Sequence, residues 1–236
     1  MRVCEDFVMH DELNPLLFDG KNKLYSNIKE KIIDIVDEFI STLDVPVNVL
    51  DIRIVGSNAS YNYTIDSDID VHIVIDSDDY SDEDLLMAYC NAKRNIFRDK
   101  YEITIKNLPV ELSVEDTNSN VVSNGIYSVT EDKWVKFPKH IDNVDIDVSR
   151  EVASLKNKIE KLLRDGADVD ELHKMMSTIK MMRKNSIAAD GEFGKGNYIF
   201  KGLRDLGIIK ALKDKIKEEK SKQLSLESVC KDCFRV

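Results

Sequence analysis

No stretch of the chain is apolar over anything near the roughly 20 residues that a membrane-spanning helix needs, so no membrane partner is expected. The opening residues, Met1-Arg2-Val3-Cys4-Glu5-Asp6, lack the apolar stretch of a signal peptide, which predicts a cytoplasmic protein. Cysteine is scarce: of Cys4, Cys90, Cys230 and Cys233, only the last two lie close together. A structural zinc site needs four ligands, and this pair has neither a second pair nor a nearby histidine. The pair therefore reads as reduced thiols in a solvated tail, residues 223–236. Internal repeats and low-complexity tracts are also missing. What remains is an ordinary globular composition, 42% hydrophobic and 33% charged, in 236 residues, enough for one large domain or two small ones.

Positive charge is scarce overall but unevenly so. Residues 149–222 hold 18 of the 34 Lys and Arg against 12 of the 44 Asp and Glu, a surplus of six positive charges; the other residues carry an acidic excess of sixteen. An acidic surface disfavours long nonspecific DNA binding, which depends on Lys and Arg displacing counterions from phosphates. The basic second half is still suited to grip a triphosphate or a short RNA.

Against this background one stretch carries chemistry. The apolar run Val49–Val55 ends in Gly56-Ser57, a polar connection follows, and a second apolar run opens with Ser67-Asp68-Ile69-Asp70-Val71. Side chains alternate along a strand, so Asp68 and Asp70 share one face while Ile69, Val71, Ile73 and Ile75 share the other. Two adjacent carboxylates call for a cation, and hard oxygen ligands suit Mg²⁺ or Mn²⁺. A glycine turn lets backbone N–H groups approach a phosphate. Metal beside phosphate points to phosphoryl or nucleotidyl transfer.

Gly-Ser, a spacer and Ser-Asp-Ile-Asp-Val resemble the signature of the DNA polymerase beta superfamily of nucleotidyltransferases. Three separated elements within residues 49–115 agree with it. Pro109-Val110-Glu111-Leu112, Gly125-Ile126-Tyr127-Ser128 and Gly196-Asn197-Tyr198-Ile199-Phe200-Lys201 are similar to compact stand-alone bacterial and phage members. The resemblance implies a third carboxylate on a neighbouring strand, for which Glu111 is the candidate; Glu115, on the same expected face, competes with it. It further implies that Asp68 and Asp70 ligate the metal carrying the triphosphate. With Glu111 they would hold a second Mg²⁺ or Mn²⁺ that activates an acceptor hydroxyl, and pyrophosphate would leave. Gly56 and Ser57 would contact the triphosphate of the NTP.

Elsewhere the pattern is read coarsely. Residues 1–20 show no period and read as an arm. Helical spacing runs from Leu24 to Leu43 and stops before Pro46; Ser81 with Asp84 resembles a capping box for a second helix that reaches Phe97. Tyr101–Ile105 and Val110–Val114 form an expected antiparallel pair joined at Lys106–Pro109. A hairpin is expected over Ile126–Val129 and Lys133–Phe137, with Trp134 read either as part of it or as an anchor between lobes. Pro138 and Asp142–Asp147 read as a linker.

Beyond it, apolar spacing predicts helices stopping at Gly166, Gly191 and Gly207, with a last one from Ile208. The Met175-Met176 and Met181-Met182 pairs are expected in the core.

The fold class is therefore α+β: a nucleotidyltransferase core of mixed or antiparallel sheet with flanking helices over residues 1–140, then a helical bundle over 149–222 closing over the nucleotide. Lys195, Lys201 and Arg204 surround a glycine-containing helix start; Lys201 and Arg204 are taken as nucleotide-binding, with a solvated helix face as the competing account. His72 falls on the aspartate face and is left out of the catalytic set. Ser67 reads as an aspartate-orienting residue or a plain turn residue. The acceptor is open among a nucleotide, an RNA end, a protein and a small molecule. The alternative from another class is a noncatalytic regulator or antitoxin-like module that keeps the fold to bind a partner.

Overall fold

A computed structural model describes residues 9–65, 67–78, 80–119, 121–141 and 147–225. Cys4, Cys230 and Cys233, most of the expected linker and the tail beyond residue 225 lie outside the described residues. The chain falls into two compact units that divide between residues 144 and 145.

The first unit is built on a six-stranded mixed sheet in the order β3-β4-β2-β1-β5-β6. The strands are β1 (Asn48–Val55), β2 (Ile69–Asp76), β3 (Thr104–Ile105), β4 (Leu108–Asp116), β5 (Ile126–Ser128) and β6 (Lys133–Lys136). Among the described strands only β2 and β4 run parallel; the other pairs are antiparallel. β2 is central because its apolar side chains need cover: Ile69, Val71, Ile73 and Ile75 are all 0% exposed. They join one core with Ile28, Ile32, Val36 and Phe39 of α1 (Ser26–Ser41) and Leu86, Cys90 and Phe97 of α2 (Glu83–Lys100). Each such side chain contributes about 1.5–3 kcal/mol by leaving water.

Three local readings change. The arm is not loose over its described part: Leu13, Leu17 and Phe18 are buried in the core, held by single turns and a bridge between Phe18 and Leu24 that have no helical or strand period to detect. α2 is capped by Asp82, whose carboxylate accepts from the Leu85 N–H, rather than by Ser81. β3 shrinks to Thr104–Ile105 because Lys106 and Asn107 both take positive φ (52° and 66°), a tight two-residue turn that pairs Ile105 with Leu108 at once. Trp134 packs within this unit, stacked 5.2 Å from Phe18 and donating from Nε1 to the Asn22 carbonyl at 2.7 Å.

The second unit is helical: α3 (Ser149–Asp165), α4 (Val169–Asp190), α5 (Lys195–Asp205) and α6 (Ile208–Leu224). The expected stops hold. Gly166 and Gly207 both sit at φ +73° and Gly191 at +68°, a region where glycine carries no Cβ penalty. Met175 and Met176 are buried, while Met181 is 61% exposed, so the second methionine pair is not a core pair. α5 seats closely because Gly196 faces the Met182 carbonyl and Ser186; a Cβ there would come within 2.7 Å of both. Among the described residues no helix is long and apolar enough to cross a membrane.

Candidate active site

The carboxylates sit where β2 and β4 run side by side. The parallel register sets Asp70 opposite Glu111, His72 opposite Ser113 and Val74 opposite Glu115. With alternating faces, Asp70 and Glu111 occupy the side away from Val71 and Leu112. Glu111 is exposed and Asp70 half-buried. Asp68 lies one residue before β2 begins, so strand alternation does not govern its direction.

Glu115, the competing acid, is four register positions further on, two along the same face. Its Oε1 stands 2.5 Å from His72 Nδ1, a buried nitrogen that makes no hydrogen bond. Asp116 ends β4. It accepts from the Ser77 hydroxyl at 2.6 Å, and that bond and the Asn118 N–H pull its carboxyl down to about 2. Glu111 is thus the acid that shares a register position with Asp70.

Gly56 closes β1 at φ +74°, ψ −157°, a conformation open in practice to glycine alone. A Cβ built there would stand 2.2 Å from Asp70 Oδ2. Glycine is therefore required by the Asp70 carboxylate itself, a reason distinct from approach to a phosphate. The Gly56 N–H already donates to Ser123 Oγ at 3.1 Å.

The connection after Gly56 is one 3-10 turn, Ser57–Ala59, tied down by a residue that the sequence reading passed over. Asn58 is fully buried and its amide donates to the carbonyls of Ser67 (3.0 Å) and Asp68 (2.8 Å). Its own carbonyl accepts from Asn14 Nδ2 at 2.7 Å. Ser57 Oγ donates to Ser67 Oγ at 3.0 Å, and Ser67 Oγ also accepts from the Thr64 N–H at 2.8 Å. Ser67 orients the entry to the strand through this network. Asn58 was invisible because a polar residue in a polar stretch shows its importance only through a partner 44 residues away.

Lys201 and Arg204 lie on α5 in the helical unit. Burial lowers the Lys201 ammonium pKa, Arg204 and Arg183 press the same way, and Glu192 and Asp205 oppose them. Arg204 is exposed and pairs with Asp205 at 3.0 Å. Lys195 is engaged by Glu151.

Carboxylate oxygens are the donors that Mg²⁺ and Mn²⁺ prefer. The Asp70–Glu111 register with Asp68 just upstream supplies three of them. As the side chains stand, no three His, Cys, Asp or Glu among the described residues converge at metal-ligand distances. The donor chemistry and register fit a divalent cation.

A mixed sheet carrying an acidic pair on adjacent parallel strands, with a glycine turn pressed against one carboxylate, is the arrangement of a polymerase-beta-like nucleotidyltransferase fold. Residues 29–172, more than half of the chain, match the nucleotidyltransferase domain family, and the chain belongs to that family. No curated protein sequence matches it. Among solved structures it is similar to the CdnE cyclic dinucleotide synthase of Elizabethkingia meningoseptica, determined with GTP and Apcpp. That likeness has 15% identity, covers 83% of this chain and 78% of that one, and has a TM-score of 0.27, too loose to carry a functional conclusion.

Proposed function

We propose that this protein transfers a nucleoside monophosphate from an NTP to an acceptor hydroxyl and releases pyrophosphate. The observation that carries this reading is the Asp70–Glu111 pairing across β2 and β4, with the Gly56 backbone against the Asp70 carboxylate. Divalent cations held by Asp68, Asp70 and Glu111 would offset phosphate charge and make the acceptor hydroxyl easier to deprotonate.

The chain's own residues have separable tasks. Gly56 leaves the space that the Asp70 carboxylate occupies, and the Ser57 hydroxyl turns from Ser67 Oγ to donate to a phosphate oxygen. Glu111, the exposed acid, takes the acceptor's proton as its oxygen bonds to the α-phosphorus; the α–β phosphoanhydride bond breaks and pyrophosphate departs. Lys201 and Arg204 are assigned as phosphate-binding cations. Residues 1–140 are taken as the catalytic domain and 149–222 as a helical domain of a cytoplasmic enzyme. The acceptor class is defined only as a hydroxyl.

Incubating the protein with each NTP and Mg²⁺ and measuring pyrophosphate tests the reading. Asp70→Ala is expected to lose about a thousandfold or more in rate with its circular dichroism unchanged. Undiminished release from that variant would eliminate the mechanism. The second reading is a noncatalytic module that binds a partner through this fold; no pyrophosphate from any NTP, with partner capture independent of metal, would select it.

A further inference from the structure

The helical unit carries a feature that nucleotidyl transfer does not use. α4 and α6 lie alongside each other in opposite directions, with Ile187 near Ile209 at one end and His173 near Leu224 at the other. Between them are two hollows of about 490 and 390 Å³ that share Met176, Lys180 and Lys213 and so form one groove. From His173 to Ile187 the groove follows α4 for about 21 Å, roughly four helical turns.

Its floor is aliphatic, with Met176, Ile187, Ile209 and Ile216, and holds one aromatic, Phe200. Its walls are cationic: Lys180, Arg183 and Lys184 from α4, and Lys213, Lys217 and Lys220 from α6. Among the described residues no Asp or Glu lines either hollow. α6 supplies its own comparison. Lys215 and Lys222, outside the groove, pair with Glu218 and Glu219 at 2.6–3.2 Å. Lys213 and Lys217, spaced i,i+4 along the groove wall, form no ion pair among the described residues. The positive surplus of residues 149–222 is therefore concentrated on the rims of an apolar trough.

We propose that this groove docks an acidic amphipathic α-helix of a partner protein, its apolar stripe on the floor and its carboxylates along the two lysine walls. The length admits about four turns, and the alternation of cation, apolar and cation across the groove mirrors the section of such a helix. Single-stranded nucleic acid fits less well. Its bases need open aromatic faces, and the Phe200 ring is already covered by the Arg183 guanidinium, 4.3 Å from its centroid. A membrane surface is poorly matched because the floor residues Met176, Ile187, Ile209 and Ile216 are buried or half-buried while the lysines beside them are exposed. The proposal is independent of the catalytic reading.

The test uses the full chain and a fluorescent synthetic peptide of about 18 residues, long enough for the groove, with Leu at i, i+3, i+4 and i+7 spacing and Glu elsewhere. Fluorescence anisotropy is expected to give a Kd of roughly 10–100 µM, as for a helix-in-groove contact not yet optimised in sequence. Lys180→Glu with Lys184→Glu, or Lys213→Glu with Lys217→Glu, is expected to weaken binding by about tenfold or more. A shuffled peptide of the same composition is expected to bind as weakly as these variants do. The proposal is overturned by no binding, by equal binding of the shuffled peptide, by charge reversals without effect, or by tighter binding of an oligothymidylate of equal charge.

Discussion

In the sheet unit the acidic groups stand on strands whose opposite faces are sealed in a core, and buried amides fix the backbone that carries them. In the helical unit the cations outside the core stand on exposed helix faces, placed by helical spacing alone. The difference teaches where precision is stored. A strand register admits no small adjustment, since a one-residue slip sends every side chain to the other face. A lysine on a helix surface keeps its long flexible stem and adapts.

Substitutions in the two units should therefore fail differently. After removal of the Asp70 carboxylate itself, the largest effect is expected from Gly56→Ala. The new Cβ meets Asp70 Oδ2 at 2.2 Å in a backbone conformation reserved for glycine, so stability should fall by about 1–3 kcal/mol. Pyrophosphate release should fall roughly hundredfold or more, because the carboxylate must move. Chemical denaturation and steady-state rates measure both. Equal loss in an Asp70→Ala background would show that the clash is not the cause.

Asn58→Ala comes next. It leaves the carbonyls of Ser67 and Asp68 and the amide of Asn14 without their partner, which costs about 1–3 kcal/mol in a buried site. Its rate should drop through kcat, since Asn58 positions the entry to β2 and touches no reacting atom. A melting temperature equal to that of the parent protein would refute this role.

Smallest is Arg204→Ala. An exposed cation contributing only to phosphate binding should raise the KM for NTP by about tenfold with kcat nearly unchanged. A collapse of kcat would put the helical cation on the same footing as the strand carboxylates and erase the contrast.

The sequence showed this architecture unequally, for physical reasons. The β2 strand and the Gly56 turn were legible because alternation and a glycine turn are local signals; Glu111 came from the family resemblance alone, with Glu115 beside it, because which strands pair and in what register is not a local property. Asp68 was read as a strand residue although pairing starts at Ile69, and element ends are set by neighbours more than by the chain itself. Helix stops at Gly166 and Gly207 were legible from glycine's ease at positive φ. Asn58, Ser123 and the packed arm were not, because their partners are distant in sequence and polar residues in loops carry no period. The groove between α4 and α6 was equally hidden: its lysines appear in the sequence only as a charge surplus, and which of them lack carboxylate partners depends on helix faces.

The central claim is that Asp68, Asp70 and Glu111 jointly hold divalent cations. Titration of Mn²⁺ in the presence of a nonhydrolysable NTP, followed by electron paramagnetic resonance, addresses it without relying on turnover. The protein is expected to bind two ions, Glu111→Gln to lose one, and Asp70→Asn to lose both. Unchanged stoichiometry in Glu111→Gln and Asp70→Asn would contradict the assignment.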